Sequence, residues 1–254
     1  MSATCHRCGA LDPAGTQFRS ERIPFRGTRV YCPKCHARLE ENFLLGLQAI
    51  IVSFGLFGFV FLLLNTSSKV GHVWVNLFLV QFIIIPSTII HEFAHAIVGK
   101  LSGLTVLRIW IGRGKTLYRA NLLGFDTEFK MIPIGGLTFL THGYKEKLRF
   151  RYFLAILAGP LTNAIIFLVV WKFAAWRDFN IETSIQLGAF IVLAQALILI
   201  ENLLPYRIHT ALGKLCTDGL SLFQLLASES PDVLHSRLGI HIANNTTQTQ
   251  TWTK

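Results

Sequence analysis

The residues of this 254-residue chain best suited to chemistry are two histidines four apart with a glutamate beside the first, His91-Glu92-Phe93-Ala94-His95. On a helix, residues four apart share a face, so both imidazoles can be offered to one metal ion. Glu92 then lies beside that metal, placed to take a proton from a bound water. The rival reading is a chance match on an ordinary helix, and the setting argues against it. Residues 73–90, leading into the motif, carry no charge and have the length and character of a membrane helix. A charge at mid-membrane costs about 2.5–3.5 kcal/mol on insertion scales, so ionisable groups there usually serve a function.

A second constellation stands at the N-terminus. Cys5-His6-Arg7-Cys8-Gly9 is followed by Cys32-Pro33-Lys34-Cys35, with 23 residues between Cys8 and Cys32. Two C-x-x-C turns let four thiolates converge on Zn²⁺, and the segment between has few apolar residues to bury. Bound metal then supplies most of its folding energy. Residues 1–40 therefore read as a zinc ribbon with Cys5, Cys8, Cys32 and Cys35 as ligands. Two disulfides are the rival, which a reducing cytoplasmic side disfavours. His6 and His36 are expected to face solvent, and a protein partner of the ribbon is one role for it. Arg19, Arg22, Arg26 and Arg29 are expected at acidic headgroups, so no nucleic-acid partner is expected.

These sites need a scaffold, and hydropathy supplies it. The chain is 52% hydrophobic and 15% charged, which excludes a typical soluble domain. Spans are expected at residues 43–64, 73–99, 153–171 and 183–204. Residues 1–42 hold seven Lys/Arg and residues 101–150 hold eight, whereas residues 65–72 hold only Lys69. Under the positive-inside rule both termini and the long central loop lie in the cytoplasm. Gly46, Gly55 and Gly58 suit close helix approach in the first span. Short runs rich in β-formers between residues 104 and 140 predict a small β-rich insertion. Residues 228–254 are polar and predict a mobile tail. The fold class expected is thus an α-helical polytopic membrane protein with about four spans, a β-rich insertion and an N-terminal zinc ribbon.

Further polar residues stand in apolar surroundings. Asn163, within Gly159-Pro160-Leu161-Thr162-Asn163, serves either interhelical packing or a functional contact. Asp218 either caps the last helix, as Thr217 also could, or returns to the metal as the third ligand that two histidines need if one position is left for water. Cys216 reads as a buried thiol.

Taken together and in order, these motifs resemble the site-2 protease family of intramembrane zinc metalloproteases (peptidase family M50) over roughly residues 73–226. His91 to His95 matches the family's H-E-x-x-H, Pro133-Ile134-Gly135-Gly136 its P-x-G-G, Gly159-Pro160 with Asn163 its G-P-x-x-N, and Asn202-Leu203-Leu204-Pro205 with Asp218-Gly219 its N-x-x-P…D-G. The resemblance implies zinc held by His91, His95 and Asp218, with Glu92 as catalytic base. Asn163 and Asn202 become candidates to hold the substrate backbone or oxyanion, and Pro133, Gly135 and Gly136 candidates for substrate binding. The substrates implied are membrane proteins cut within or next to their spans, in a bacterial plasma membrane. One departure stands out. Twelve residues separate Pro205 from Asp218, where the family usually has a few, so Glu201 and His209 stay open as third ligand. A catalytically silent scaffold of the same fold and a metal transporter are the alternative functions.

Overall fold

The computed structural model describes residues 3–12, 19–23, 27–141, 147–173, 180–210 and 213–227. Two antiparallel hairpins open the chain, β1 (Ala3–Thr4) with β2 (Leu11–Asp12) and β3 (Arg19–Ile23) with β4 (Gly27–Tyr31). Cys5, Tyr31 and Cys32 are buried together, with Cys35 against them. The side chains of Arg19, Arg22, Arg26 and Arg29 lie outside the described residues, as does the tail expected at 228–254.

Helix α1 (Pro33–Leu64) begins at a proline, whose fixed φ suits a first helical turn. It continues for 32 residues, straight through positions 41–42, where the sequence suggested a boundary between ribbon and first span. Helix α2 (Lys69–Leu101) follows after a short turn, its first turn capped by the Ser68 hydroxyl, which accepts from the Gly71 N–H at 3.2 Å. The two helices meet where the first span has no side chain. A Cβ at Gly55 would strike the Phe78 ring and one at Gly58 the Trp74 side chain, while Gly46 faces open space. Phe54 stacks on Trp74 beside this seam, ring centroids 4.2 Å apart.

The expected β-rich insertion is a two-stranded sheet, β5 (Thr105–Leu122) and β6 (Phe125–Thr141), folded back on itself. Ile109, Trp110 and Ile111 each pair on both sides, with Thr138, Leu137 and Gly136 on one and Thr127, Glu128 and Phe129 on the other. Residues 136–141 therefore form an outer edge. Ile109, Ile111 and Phe125 pack on Phe93 and Ala96 of α2, which seats the sheet against the helix that carries the histidines.

Helix α3 (Leu148–Phe173) and helix α4 (Leu187–Leu203) complete the bundle, and a hairpin of β7 (Arg207–Thr210) and β8 (Gly213–Cys216) leads to α5 (Asp218–Ala227). Three of these helices are long and apolar enough to cross a membrane: Asn42–Leu64 within α1, α2 and α3.

The fourth expected span, 183–204, is shorter than its apolar run. Helix α4 has 17 residues, about 25 Å at 1.5 Å per residue. The physical reason lies in α2. Asn76, fully buried, donates to the carbonyls of Ile181 and Ser184 at 3.1 and 2.8 Å and accepts from the Gln186 N–H at 2.9 Å. One amide thus satisfies irregular backbone that would otherwise have to be helical to survive away from water.

Candidate metal centre

Helix α2 positions the first two ligand candidates by its pitch alone. Nε2 of His91 and Nε2 of His95 lie 3.0 Å apart, and Oδ2 of Asp218 lies 3.1 and 3.3 Å from them. Ligands at 2.0–2.1 Å from a tetrahedral zinc sit roughly 3.3–3.4 Å from one another, so the donor set fits that ion. The far side of each ring fits as well. His95 Nδ1 lies 2.8 Å from the Ala155 carbonyl and His91 Nδ1 lies 2.5 Å from Asn163 Oδ1. Each Nδ1 faces an acceptor and so carries the proton, which leaves each Nε2 lone pair for a metal.

Room for this cluster comes from a missing side chain. A Cβ at Gly159 would strike His95 Nε2 and the His91 ring. Gly159 is therefore the notch in α3 that lets the imidazoles close on Asp218.

The twelve-residue departure before Asp218 has a simple physical form. β7 and β8 pair Arg207 with Cys216 and Thr210 with Gly213, so the extra chain runs out and back. At its base the Thr217 N–H donates to the Tyr206 carbonyl at 3.1 Å. Thr217 also caps α5, its hydroxyl donating to the Leu204 carbonyl at 2.6 Å and accepting from the Leu220 N–H at 3.4 Å. With the cap supplied by Thr217, the Asp218 carboxylate is free to reach the histidines. The start of α5 sits close on the end of α4, since a Cβ at Gly219 would strike the Leu203 carbonyl. Glu201 lies exposed at the end of α4, outside the cluster of His91, His95 and Asp218. The His209 side chain lies outside the described residues.

Glu92 is buried beside the histidines, 5% exposed. The Thr138 hydroxyl, on the outer edge of the sheet, lies 2.6 Å from its Oε2. A Cβ at Gly136 would strike the Glu92 side chain, so the P-x-G-G segment passes directly over the carboxylate. Gly136 itself is exposed, and Pro133 and Gly135 are half-buried beside it.

Both asparagines bond within the protein. Asn163 is expected at substrate or oxyanion, yet both ends of its amide are engaged by protein: Oδ1 faces His91 and Nδ2 donates to Gln195 Oε1 at 2.5 Å. It stands behind the imidazole because α3 carries it one turn beyond Gly159. Asn202 returns its Nδ2 to the Ile198 carbonyl of its own helix at 3.0 Å. Gln195, Ser87, Thr138 and Asn76 escaped the sequence reading. For Asn76 and Gln195 the available signal was a polar amide in an apolar helical stretch; Ser87, beside Thr88, and Thr138, in the sheet, offered none.

The N-terminal thiols also converge. Sγ atoms of Cys5, Cys8, Cys32 and Cys35 all lie within 4.8 Å of one another, Cys8 and Cys32 at 3.7 Å. A tetrahedral zinc with Zn–S of 2.3 Å asks for roughly 3.8 Å. Burial works to raise the Cys5 thiol, but backbone hydrogen bonding from Cys32, Cys8 and Arg7 outweighs it and brings the thiol down to about 6. Burial and the neighbouring thiols push Cys35 the other way, up to about 12, as crowded thiols do with no cation among them. His6 is exposed as expected, but His36 is buried, 4% exposed, because α1 turns it inward beside Cys32. Cys216 is half-buried rather than buried, 3.9 Å from Gln224 Oε1.

No curated protein matches the chain. The family model described as Peptidase family M50 matches residues 78–249, which takes in α2 from Phe78 onward, the sheet, α3, α4 and α5. The matched range contains His91, Glu92, His95 and Asp218, and the chain belongs to Peptidase family M50, zinc-dependent membrane metalloproteases.

Proposed function

We propose that this protein is an intramembrane zinc endopeptidase that hydrolyses peptide bonds within or next to the spans of membrane proteins. The observation that carries the proposal is the convergence of His91, His95 and Asp218 at 3.0–3.3 Å with Glu92 beside them on an apolar helix. In this reading His91 Nε2, His95 Nε2 and an Asp218 oxygen hold zinc, which when bound acidifies a water and polarises the scissile carbonyl. Glu92 takes the proton from the attacking water and delivers it to the departing amine. Its burial and the Thr138 hydrogen bond hold the carboxylate in one orientation for both transfers. Asn163 acts on His91 rather than on substrate.

Helical substrates hide their peptide bonds, so a substrate must be extended before it is cut. The segment at Pro133, Gly135 and Gly136, half-buried until it emerges at Gly136 and passing over Glu92, suits strand addition along the 136–141 edge. Asn202 is a second candidate for a substrate contact, since its bond to Ile198 is one that a substrate carbonyl can replace. The ribbon's four thiolates hold a second, structural zinc in the proposed protein. Residues 1–40 and 43–227 act as ribbon and protease units in this reading, joined by the unbroken α1. Helix α4 serves as a fourth, short span in this reading, which leaves both termini on one side; the Lys/Arg-rich segments 1–42 and 101–150 favour the cytoplasmic side, of a bacterial plasma membrane in the proposed protein.

The test is a paired measurement in liposomes of zinc per chain and cleavage of a library of membrane-helix substrates. Wild type is expected to hold two zinc ions and cleave, and Glu92→Gln to keep both ions with activity reduced by about 10²–10⁴. Equal turnover by the two proteins would remove Glu92 from the reaction.

A further inference from the structure

A buried line of side chains runs from the back of His91 to the main chain of its own helix. His91 Nδ1 lies 2.5 Å from Asn163 Oδ1, Asn163 Nδ2 is 2.5 Å from Gln195 Oε1, Gln195 Nε2 is 2.7 Å from Ser87 Oγ, and Ser87 Oγ is 2.8 Å from the Ile83 carbonyl. None of the four side-chain-bearing residues is more than 3% exposed. They come from α2, α3 and α4, so the line also ties three helices together.

Its polarity follows from its far end. A backbone carbonyl accepts and never donates, so Ser87 gives its one hydroxyl proton to Ile83. The Ser87 oxygen is then an acceptor and faces the NH₂ of Gln195. That turns Gln195 Oε1 toward Asn163, which meets it with its own NH₂. Asn163 Oδ1 is left for His91, whose Nδ1 must carry the proton. Nε2 therefore keeps its lone pair, on the side of His95 and Asp218. Each amide orientation is fixed by its neighbour, and the first by main chain.

We infer that Gln195 and Ser87 are positioning residues of the metal centre: through Asn163 they hold His91 in the tautomer that ligates through Nε2. The inference rests on the reading of His91 as a metal ligand. Without Gln195 the Asn163 amide loses its reason to point one way. Turned over, it presents NH₂ to His91, and the ring answers by placing its proton on Nε2, where the metal should be. A role confined to packing predicts no such reversal.

Gln195→Leu fills the space and removes the polarity. Gln195→Glu, held neutral in this buried setting, keeps it, with its carbonyl toward Asn163 and its hydroxyl toward Ser87. The experiment titrates Co²⁺ into metal-free protein in detergent micelles. The ribbon's thiolates are read by their sulfur-to-cobalt absorption, the membrane site by its separate visible bands and by the hyperfine-shifted, exchangeable N–H resonances of its ligated histidines. Wild type is expected to show both sites and two such resonances. Gln195→Leu and Ser87→Ala should weaken the membrane site about 10–100-fold, broaden or remove one resonance, and leave the ribbon band unchanged; Gln195→Glu should restore both readouts. Wild-type affinity with both resonances intact in Gln195→Leu would overturn the inference, as would a Gln195→Glu as impaired as the leucine variant. If the leucine variant does not fold, Ser87→Ala, which removes a single oxygen, decides by the same two readouts. A wild type that binds Co²⁺ only at the ribbon overturns the metal-site reading itself, a different and recognisable result.

Discussion

The Thr138 hydroxyl lies 2.6 Å from Oε2 of Glu92 and 3.0 Å from the Glu92 carbonyl, joining the outer edge of the β-sheet to the carboxylate beside the proposed metal ligands. The strand proposed to receive substrate and the proposed base are thus held by one side chain. Thr138→Val keeps the shape and removes the donor. A hydrogen bond to a charged group is worth about 1.5–3 kcal/mol, so kcat should fall roughly 10–100-fold with zinc content unchanged. Steady-state kinetics on a single cleaved substrate, with metal analysis of the same sample, checks both.

Two glycines separate base from metal. Gly136→Ala pushes against Glu92 and Gly159→Ala against both imidazoles. The first should abolish cleavage while two zinc ions remain per chain; the second should leave only the ribbon's ion. Metal analysis on the purified pair distinguishes them, and loss of zinc in Gly136→Ala would contradict the geometry.

The β7–β8 hairpin closes on itself, with Thr217 hydrogen-bonded to Tyr206 at its base. Replacing residues 207–216 by Asn-Gly joins Tyr206 to Thr217 through a two-residue turn suited to such a pair. Zinc content should stay at two and activity within about threefold, since shortening the loop from ten residues to two changes its closure entropy by only about 1.4 kcal/mol, in the stabilising direction. Thr217→Val, by contrast, removes the cap of α5 and should destabilise the fold by about 1 kcal/mol while lowering zinc affinity.

The sheet carries its own acid sensitivity. Glu128 is buried, with Arg108 and Arg119 at 2.9 and 3.2 Å from Oε1 and Lys130 and Thr116 at 3.2 and 2.9 Å from Oε2. Burial alone would raise its pKa, but the Thr116 and Lys130 hydrogen bonds and the surrounding cations outweigh it and hold the carboxyl below its usual range. A depressed carboxyl stabilises the fold above its unfolded value, about 4.3, and that stabilisation is lost as pH falls through the lower folded value. Hydrogen exchange across residues 105–141 should therefore accelerate below about pH 4, and Glu128→Gln should flatten that dependence. The substitution should also cost about 2 kcal/mol at neutral pH, less than the roughly 3–5 of a fully buried pair, because Arg108 and Arg119 reach solvent.

Where ligands are close in sequence, the site was legible. Helix pitch places His91 over His95, and C-x-x-C turns place the thiols, whatever the rest of the chain does. Asp218 needed the fold: no spacing rule tells that the residues before it form a hairpin with no net reach. The partners of Asn163 were illegible for a related reason. Gln195 is 32 residues from Asn163, and Ser87, which Gln195 bonds in turn, is 108 residues from Gln195; an amide in an apolar helix announces that it has a partner without naming it. The length of α4 misled in the opposite direction. Hydropathy counts residues 183–186 as helix, whereas Asn76, more than 100 residues earlier, satisfies them as irregular backbone.

Cys35 lies in the first turn of α1, and the same helix runs on without interruption to Leu64. At 1.5 Å per residue this is a shaft of about 48 Å, with one end clamped among four thiols and the other packed against α2 through Gly55 and Gly58. A shaft without a joint cannot turn at one end alone. Any event that rotates or frees the ribbon, whether loss of its metal or engagement by another molecule, must be felt as torque along the seam with the helix that carries His91, Glu92 and His95.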